Sequence, residues 1–344
     1  MNPDARLHAL SAWLARVLPA PFAAIAPAST DASFRRYFRV EFASAMLLPR
    51  TGRPALTLIA MDAPPPHEDC RPFVKVAHLL EAAGINAPEV LAEDIDQGFL
   101  LLSDLGTRTF LAELNDSTAP ALYGDACAAL VRWQLASREN ILPPYDEALL
   151  ARELALFPDW YVARHLRVEL TTSQRGVLDT AFRRILDNNL AQPRVYVHRD
   201  YHSRNLMVTD PNPGVLDFQD AVYGPISYDL VSLLRDAYVS WSEEQEIDWA
   251  VRYWERARAA KLPIAADFGE FWRDFEWMGA QRQLKVLGIF ARLAYRDGKQ
   301  GYLNDMPRVM KYLRRACDRY RALGPLLQLL DELEARQPTV GYTF

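Results

Sequence analysis

Cysteine is scarce in this sequence: Cys70, Cys127 and Cys317 are spread over 344 positions. No two of them form a C-x-x-C pair, the spacing typical of structural zinc sites and redox dithiols. A fold held together by disulfides is also excluded, because such folds are short and dense in cysteine. The sequence therefore predicts free thiols in a reducing compartment, the cytoplasm.

Long apolar runs are missing as well. No stretch reaches the ~20 consecutive apolar residues that a membrane-spanning helix needs, so we expect no membrane association. The alanine-rich segment 9–28 could be a secretory signal, but Arg16 interrupts its apolar part. Apolar residues from Leu7 to Val17 recur at helical spacing, which favours an amphipathic helix over residues 5–18.

Clusters of basic residues are absent too. The formal net charge is −5, the isoelectric point is near 5.8, and the Lys and Arg residues are scattered. Nucleic-acid-binding domains need a basic face, so no nucleic-acid partner is expected. Half of the residues are apolar, and a chain of this length is long enough for two domains with sizeable cores.

What the sequence does contain is a polar loop between short β-prone runs. The run Val195–Val197 precedes His198-Arg-Asp-Tyr-His-Ser-Arg-Asn205, and a later apolar step ends at Asp217. Charged residues thus stand where strands end, and a rigid scaffold can hold a side chain in a cleft at such positions. The order of four residues matches the kinase catalytic loop H-R-D-x-x-x-x-N and the metal-binding aspartate after it: His198, Asp200, Asn205 and Asp217.

Each of these residue types suits one task in phosphoryl transfer. A carboxylate beside the acceptor hydroxyl can orient it and accept its proton, which is the role predicted for Asp200. Mg²⁺ prefers oxygen ligands, so Asn205 and Asp217 are predicted to hold it on the triphosphate of ATP. His198 is predicted to support the loop through hydrogen bonds, because the acceptor's proton has a nearer base.

The same stretch resembles a known family. The loop His198–Asn205 is similar to the H-x-D-x-H-x-x-N motif of the aminoglycoside phosphotransferase-like kinases, and His202 distinguishes it from eukaryotic protein kinases. The segment Asp217–Leu230 looks like that family's metal aspartate and the helix start that follows it. The resemblance implies an α+β, two-lobed, protein-kinase-like fold with a small mixed sheet in the N-lobe and a mainly helical C-lobe. It also implies ATP and Mg²⁺ as cofactors.

Three shorter segments look like the bacterial anomeric N-acetylmuramate/N-acetylglucosamine kinases: Asp31–Arg39, Met61–Pro65 and Gln281–Phe290. Those enzymes phosphorylate the C1 hydroxyl of the sugar in peptidoglycan recycling. The resemblance implies that sugar acceptor and a functional link to a sugar-1-phosphate uridylyltransferase. Two alternatives stay open: a kinase for another amino alcohol or an antibiotic, and a pseudokinase that binds nucleotide without turnover.

The nucleotide-binding part departs from the kinase pattern at one position. Met61 ends a predicted strand at the place where kinase-like folds have a lysine for the α- and β-phosphates. A substitute cation is expected among Arg36, Arg39 and Lys75. The pseudokinase alternative depends on this missing lysine.

Further nucleotide contacts are predicted on both sides of that strand. The turn after the first predicted strand has no glycine, but its amides and the hydroxyls of Ser29, Thr30 and Ser33 can reach a phosphate. In the resembled fold, this part of the chain is the hinge between the lobes. The resemblance therefore implies that Ser103, Asp104 and Leu105 offer backbone groups to the adenine ring. For Asp104, capping of a helix from Thr107 is the alternative.

Strand signals end near residue 105, which predicts an N-lobe over 1–105 and a helical C-lobe over 106–344. Helical periodicity predicts helices over 118–138, 146–168, 172–190, 227–239, 243–260, 267–294 and 305–336.

The acceptor site is the least defined part. Asp220 follows the metal aspartate closely and is a candidate substrate contact. Arg282 is the preferred contact for an acidic sugar, because a guanidinium can hold a carboxylate through two hydrogen bonds. The competing interpretation is that the polar residues of the 267–294 helix form a solvated face. They are Glu276, Gln281, Arg282, Lys285 and Arg292.

Overall fold

The computed structural model describes residues 3–30, 34–49, 52–65 and 67–335. They form two compact units. The first takes in the described residues up to Glu113 together with Arg204–Asp220, and the second takes in Leu114–Ser203 and the described residues from Ala221 onward. The division into lobes after residue 105 stays a prediction, but the return of a later segment to the first unit was not expected from the sequence.

The first unit is built on an antiparallel sheet with the strand order β1-β2-β3-β5-β4. Its strands are β1 (Ala24–Thr30), β2 (Arg36–Leu47), β3 (Pro54–Asp62), β4 (Val90–Asp94) and β5 (Phe99–Ser103). Neighbouring strands of this sheet pair antiparallel, so the mixed sheet expected from the sequence is wrong. Its helices are α1 (Pro3–Val17), α2 (Arg71–Ala82) and α3 (Phe110–Glu113).

The alternation along β2 determines which face of the sheet is covered. Phe38, Val40 and Phe42 are buried on one face, where they join Leu10 and Leu14 of α1 in one apolar cluster. Burying these side chains provides the free energy that holds α1 on the sheet. The intervening residues of β2 point to the opposite face, which leaves that face for a ligand cavity.

A short hairpin of β7 (Leu206–Met207) and β8 (Gly214–Val215) completes the first unit. The N–H of Val208 donates to the carbonyl of Arg108 at 2.7 Å, and the N–H of Val215 donates to that of Asn86 at 2.7 Å. These bonds attach the hairpin to the backbone of the first unit. The strands β6 (Arg194–Val197) and β9 (Val222–Pro225) pair with each other in the second unit.

The second unit is mainly helical. Its α-helices are α4 (Ala119–Leu135), α5 (Glu147–Leu156), α6 (Thr172–Ala191), α7 (Tyr228–Leu234), α8 (Glu243–Ala259), α9 (Phe268–Tyr295), α10 (Met306–Arg319) and α11 (Gly324–Ala335). The predicted helix 305–336 is interrupted by a 3₁₀ turn at Arg321–Leu323. Pro325 lacks a backbone N–H to continue a helix but fits the first turn of a new one.

A second difference concerns the predicted helix 146–168. It is α-helical only to Leu156, and a π-helix follows over Phe157–Leu166. Pro158 lies in the first turn of that segment and cannot donate to a preceding carbonyl, so the α-helical bonding pattern ends there.

Helix α9 is the central element of the second unit. Glu276, Gln281, Arg282 and Lys285 are all buried in it, at 0 to 7% exposure. The interpretation of these residues as a solvated face is therefore wrong for this part of α9. Across the described ranges, none of the helices has the length and apolar character that crossing a membrane requires.

Candidate active site

The first unit contains a cavity of about 460 Å³ on the face of the sheet opposite α1. Tyr37, Arg39 and Ile59 line it from β2 and β3, and the hairpin segment lines it from another side. Among the residues predicted from the sequence, the cavity brings together the hinge and the metal ligands: Ser103, Asp104, Leu105, Asn205 and Asp217. A cleft of this size suits a small ligand such as a nucleotide.

The predicted metal ligands are held next to each other by the hairpin. The N–H of Leu216 donates to the carbonyl of Asn205 at 2.9 Å, and Asn205 Nδ2 donates to Asp217 Oδ2 at 3.3 Å. Gln219 Nε2 fixes the other carboxylate oxygen of Asp217 at 2.8 Å.

The side chains of Asn205 and Asp217 carry amide and carboxylate oxygens, the ligand type that a hard cation such as Mg²⁺ prefers. Within the described residues, no group of three or more His, Cys, Asp or Glu residues could hold a metal ion. Phosphate and water oxygens would complete the coordination, as is usual for Mg²⁺ at phosphate sites.

An ion pair closes the hinge side of the cavity. Arg39 Nε lies 2.6 Å from Asp104 Oδ2, and the N–H of Gly106 donates to Asp104 Oδ1 at 2.8 Å. Burial opposes ionisation of Asp104, but the hydrogen bonds from Arg39 and Gly106 hold its pKa below the usual value. Asp104 thus anchors the hinge to β2 and does not cap a helix at Thr107, since α3 begins at Phe110.

The backbone N–H groups of the hinge residues differ in their hydrogen bonding. Ser103 donates its N–H to the carbonyl of Glu89 at 3.0 Å, and its hydroxyl accepts the N–H of Glu89 at 2.8 Å. The N–H of Leu105 donates to no group within the described parts of the chain. It borders the cavity and is therefore suited to donate to a bound base.

The strand position at which the sequence lacks the expected lysine is Met61 of β3. Met61 is fully buried and stands two residues after the cavity-lining Ile59 on β3, so both side chains are on the same face. Among the predicted substitutes, Arg39 lines this cavity. Arg36 instead forms an ion pair with the buried Asp62, which also pairs with Arg6 of α1. Ser33 lies outside the described residues.

The predicted catalytic loop begins in the second unit. The carboxylate of Asp229 accepts the N–H of His198 at 2.7 Å and that of Arg199 at 3.0 Å, so Asp229 braces the backbone of this loop. The N–H of Asp200 approaches His198 Nδ1 at 3.3 Å. Asp236, which sequence reasoning missed, accepts the N–H of Ser203 at 2.9 Å. The loop is therefore fixed mainly through its backbone amides.

The two aspartates of this region have opposite electrostatic environments. Burial alone would raise the pKa of Asp200, but the positive charges of Lys285, His202, Arg199 and His198 hold it below the usual value. Burial raises the pKa of Asp229 to about 7. Asp200 is therefore a carboxylate at neutral pH, as an orienting base for a hydroxyl must be.

The two candidate acceptor contacts differ in their exposure to solvent. Asp220 is exposed, whereas Arg282 is 4% exposed, and its positive charge acts on Asp229. Sequence reasoning did not identify Glu153, whose carboxylate contacts Arg199 and Lys285. A signal was present, because Glu153 lies at i+3 from Leu150, within the apolar stripe of α5.

Comparison with known proteins is consistent with this geometry. Residues 24–270 match the model of the phosphotransferase enzyme family. An N-acetylmuramate/N-acetylglucosamine kinase from Pseudomonas aeruginosa is 48% identical, and the alignment covers 97% of this chain and 98% of that protein. A protein of the same name from Neisseria meningitidis is 49% identical over 97% of this chain and 98% of its own length.

Solved structures support the fold. The gentamicin complex of the aminoglycoside phosphotransferase APH(2″)-IIa superposes with a TM-score of 0.59 at 12% identity, covering 94% of this chain and 98% of that one. Choline kinase LicA from Streptococcus pneumoniae gives 0.61 at 11% identity, covering 89% and 98%. At such identities the likeness concerns the fold alone, and it confirms the α+β, protein-kinase-like class. With the family match over most of its length, the chain belongs to the phosphotransferase enzyme family and is a kinase.

Proposed function

We propose that this kinase transfers the γ-phosphoryl group of ATP to the C1 hydroxyl of N-acetylmuramate, N-acetylglucosamine or both. The observation that carries the proposal is the near-full-length identity of 48 to 49% with kinases named for these two sugars. The presence of Asp200, Asn205 and Asp217 supports turnover and disfavours the pseudokinase alternative. Of the candidate substitutes for the missing lysine, Arg39 lines the cavity, where its guanidinium pairs with Asp104.

In the proposed mechanism, Asp200 accepts a hydrogen bond from the acceptor hydroxyl, orients it toward the phosphorus and receives its proton. Its negative charge at neutral pH is the state that this role needs. His198 and Asp229 keep the loop backbone in place. Positioning of this kind supplies much of the rate enhancement in phosphoryl transfer, since the protein forms no covalent bond with the phosphoryl group.

On the nucleotide side, Asn205 and Asp217 would hold Mg²⁺, which neutralises charge on the phosphates when it is bound. The N–H of Leu105 is suited to the adenine edge, and the Arg39–Asp104 pair fixes the hinge that presents it. Ser33 and Arg36 stay predicted nucleotide contacts. The pairing of Arg36 with Asp62 argues against a primary role at the phosphates.

The acceptor contacts stay predictions. Asp220 is exposed and can reach a ligand from solvent. Arg282 is almost completely buried, which argues against a direct fork to the lactyl carboxylate of N-acetylmuramate. We therefore expect further residues to contribute to the acceptor specificity.

The proposed reaction implies a cellular setting. A sugar 1-phosphate is the substrate class of uridylyltransferases, so we propose that such an enzyme consumes the product during peptidoglycan recycling. Both steps use nucleotides of the cytoplasm, which is the compartment we propose for this protein. The three described cysteines are free and buried, which is compatible with a reducing environment.

Phosphorus NMR of the purified protein tests the proposal. Separate samples would contain ATP, Mg²⁺ and one acceptor each: N-acetylmuramate, N-acetylglucosamine, choline or kanamycin. A new sugar phosphate resonance coupled to the anomeric proton is expected in the first two. If only choline or kanamycin is phosphorylated, the proposed sugar acceptor is wrong. ATP binding without any product would support the pseudokinase alternative.

A further inference from the structure

Five polar side chains meet in the interior of the second unit, and we call them the Glu153 cluster: Tyr145, Glu153, Arg199, Tyr228 and Lys285. Glu153 Oε1 lies 2.6 Å from Arg199 Nη2 and 3.0 Å from Lys285 Nζ. The hydroxyl of Tyr145 donates to Glu153 Oε2, and Lys285 Nζ donates to the hydroxyl of Tyr228 at 2.8 Å. The cluster thus connects α5, α7 and α9 with the residue directly before Asp200.

The charges of this cluster are costly for stability alone. Glu153 and Lys285 have side-chain exposures of 6% and 8%. Removing such ions from water costs several kcal/mol each, and apolar residues of similar volume often stabilise a protein as well or better. Two cations share the single carboxylate of Glu153, so Asp200 supplies the second negative charge in their neighbourhood. A packing role does not explain this arrangement.

The backbone next to Asp200 suggests what the charges are for. Arg199 has a left-handed φ of 77°, a conformation that is strained for a residue with a side chain. Its N–H donates to Asp229, its carbonyl accepts from the hydroxyl of Ser232 at 3.3 Å, and its guanidinium is held by Glu153. A strained conformation persists only when the surroundings determine it from several sides.

We propose that Glu153 and Lys285 are positioning residues for phosphoryl transfer. Glu153 holds the guanidinium of Arg199, and Lys285 holds the carboxylate of Glu153. Together they keep Asp200 in the orientation that the acceptor hydroxyl requires. The inference rests on the proposed role of Asp200 and goes beyond it by identifying the groups that hold this carboxylate. Misplacement of a reacting group by about 1 Å can cost roughly a hundredfold in rate.

Glu153→Gln is the first test, because it keeps the shape of the side chain and removes its charge. We expect kcat to fall by roughly tenfold to a hundredfold, while KM for ATP stays within about twofold. Glu147→Gln is the matched control on the same helix. Its exposed carboxylate pairs with the exposed Arg183 at 2.7 Å, so its kinetics should equal those of the wild type.

A double-mutant cycle separates positioning from a general structural effect. In the Asp200→Asn background, Glu153→Gln should cause no further loss of kcat, because the group that it positions is already gone. If Glu153→Gln lowers kcat by the same factor in both backgrounds, the inference is overturned. A kcat of the single variant within about twofold of the wild type would also overturn it.

Lys285→Met serves as the second variant if Glu153→Gln does not fold, and Lys311→Met on the exposed face of α10 is its control. The predicted kinetics and the predicted dependence on Asp200 are the same. If Asp200→Asn alone retains full turnover, the proposed role of Asp200 fails, and the present inference fails with it. If Asp200→Asn is impaired but the cluster variants are not, only the present inference fails.

Discussion

At the scale of single residues, two neighbouring aspartates have different surroundings, which shift their pKa values in opposite directions. Asp229 uses its carboxylate to accept two backbone amides and has a pKa raised to about 7 by burial. Asp200 has cations around it that keep its pKa below the usual value. One carboxylate thus shapes the loop, and the other stays charged, as the proposed mechanism requires.

Asp200→Asn removes the proposed proton acceptor while keeping the size of the side chain. We expect kcat to fall by roughly 10²- to 10⁴-fold, the usual contribution of a positioned acid–base group. A coupled assay of ADP release with N-acetylglucosamine measures it. Turnover equal to that of the wild type would contradict the proposed mechanism, and an unchanged melting temperature would show that the variant is folded.

The Asp62 carboxylate is important for the stability of the protein. Its side chain is fully buried, and Arg6 and Arg36 both pair with it. We expect Asp62→Ala to lower the free energy of unfolding by about 3–5 kcal/mol, because two cations then lose their buried partner. Urea unfolding measures this value. Asp210→Ala is the control, because Asp210 is 98% exposed, and its contact with Arg53 at 3.8 Å should contribute nothing measurable.

At the scale of elements, α9 organises the second unit through close approach as well as through charge. Gly288 packs directly against the end of α5: a Cβ atom there would lie 2.4 Å from the carbonyl carbon and oxygen of Leu156. This approach brings α5 and α9 together, and their side chains Glu153 and Lys285 meet one turn away from it. The glycine is therefore needed for packing although it lies inside a helix.

Alanine substitutions at two helical glycines, one closely packed and one open, test the close approach at Gly288. We expect Gly288→Ala to destabilise the protein by about 1–3 kcal/mol through overpacking. Gly176 lies in α6, where an added Cβ atom would meet nothing within 4 Å, so Gly176→Ala should stabilise by about 0.5–1 kcal/mol. Thermal and urea unfolding measure both. Equal effects of the two substitutions would contradict the proposed close approach.

At the scale of the whole molecule, each unit contains a different part of the proposed machinery. The first holds the cavity, the hinge and the pair Asn205–Asp217, and the second holds Asp200 with the residues that fix it. The loop of the H-R-D motif starts in the second unit and ends in the first. In the proposed mechanism, this one short segment therefore carries residues for both substrates.

A test at this scale uses the complete enzyme and a blocked sugar. The methyl glycoside of N-acetylglucosamine has no free C1 hydroxyl. We therefore expect it to receive no phosphate and to inhibit the reaction competitively with the free sugar. Phosphorus NMR and steady-state inhibition measure the two effects. A phosphorylated methyl glycoside would show that another hydroxyl is the acceptor.

The proposed need for Mg²⁺ has its own test. Chelation of Mg²⁺ with EDTA should stop turnover of the free sugar.

The sequence by itself determined the parts of this protein that depend on local order. The strands around the motif, the alternation along β2 and the long helix α9 follow from side-chain periodicity, and the order of His198, Asp200, Asn205 and Asp217 identified the chemistry. The division of the C-terminal helix and the antiparallel pairing throughout the sheet were missed, since a short 3₁₀ turn and strand direction leave little trace in periodicity.

Tertiary structure decided which charged residues meet. Arg39 pairs with Asp104, Arg36 with Asp62, and Glu153 with both Arg199 and Lys285, although each pair is far apart in the chain. Periodicity shows which face of an element a residue occupies, but not which other element covers that face. The partners of a buried charge, and with them its pKa and its role, are therefore determined only when the helices and strands pack.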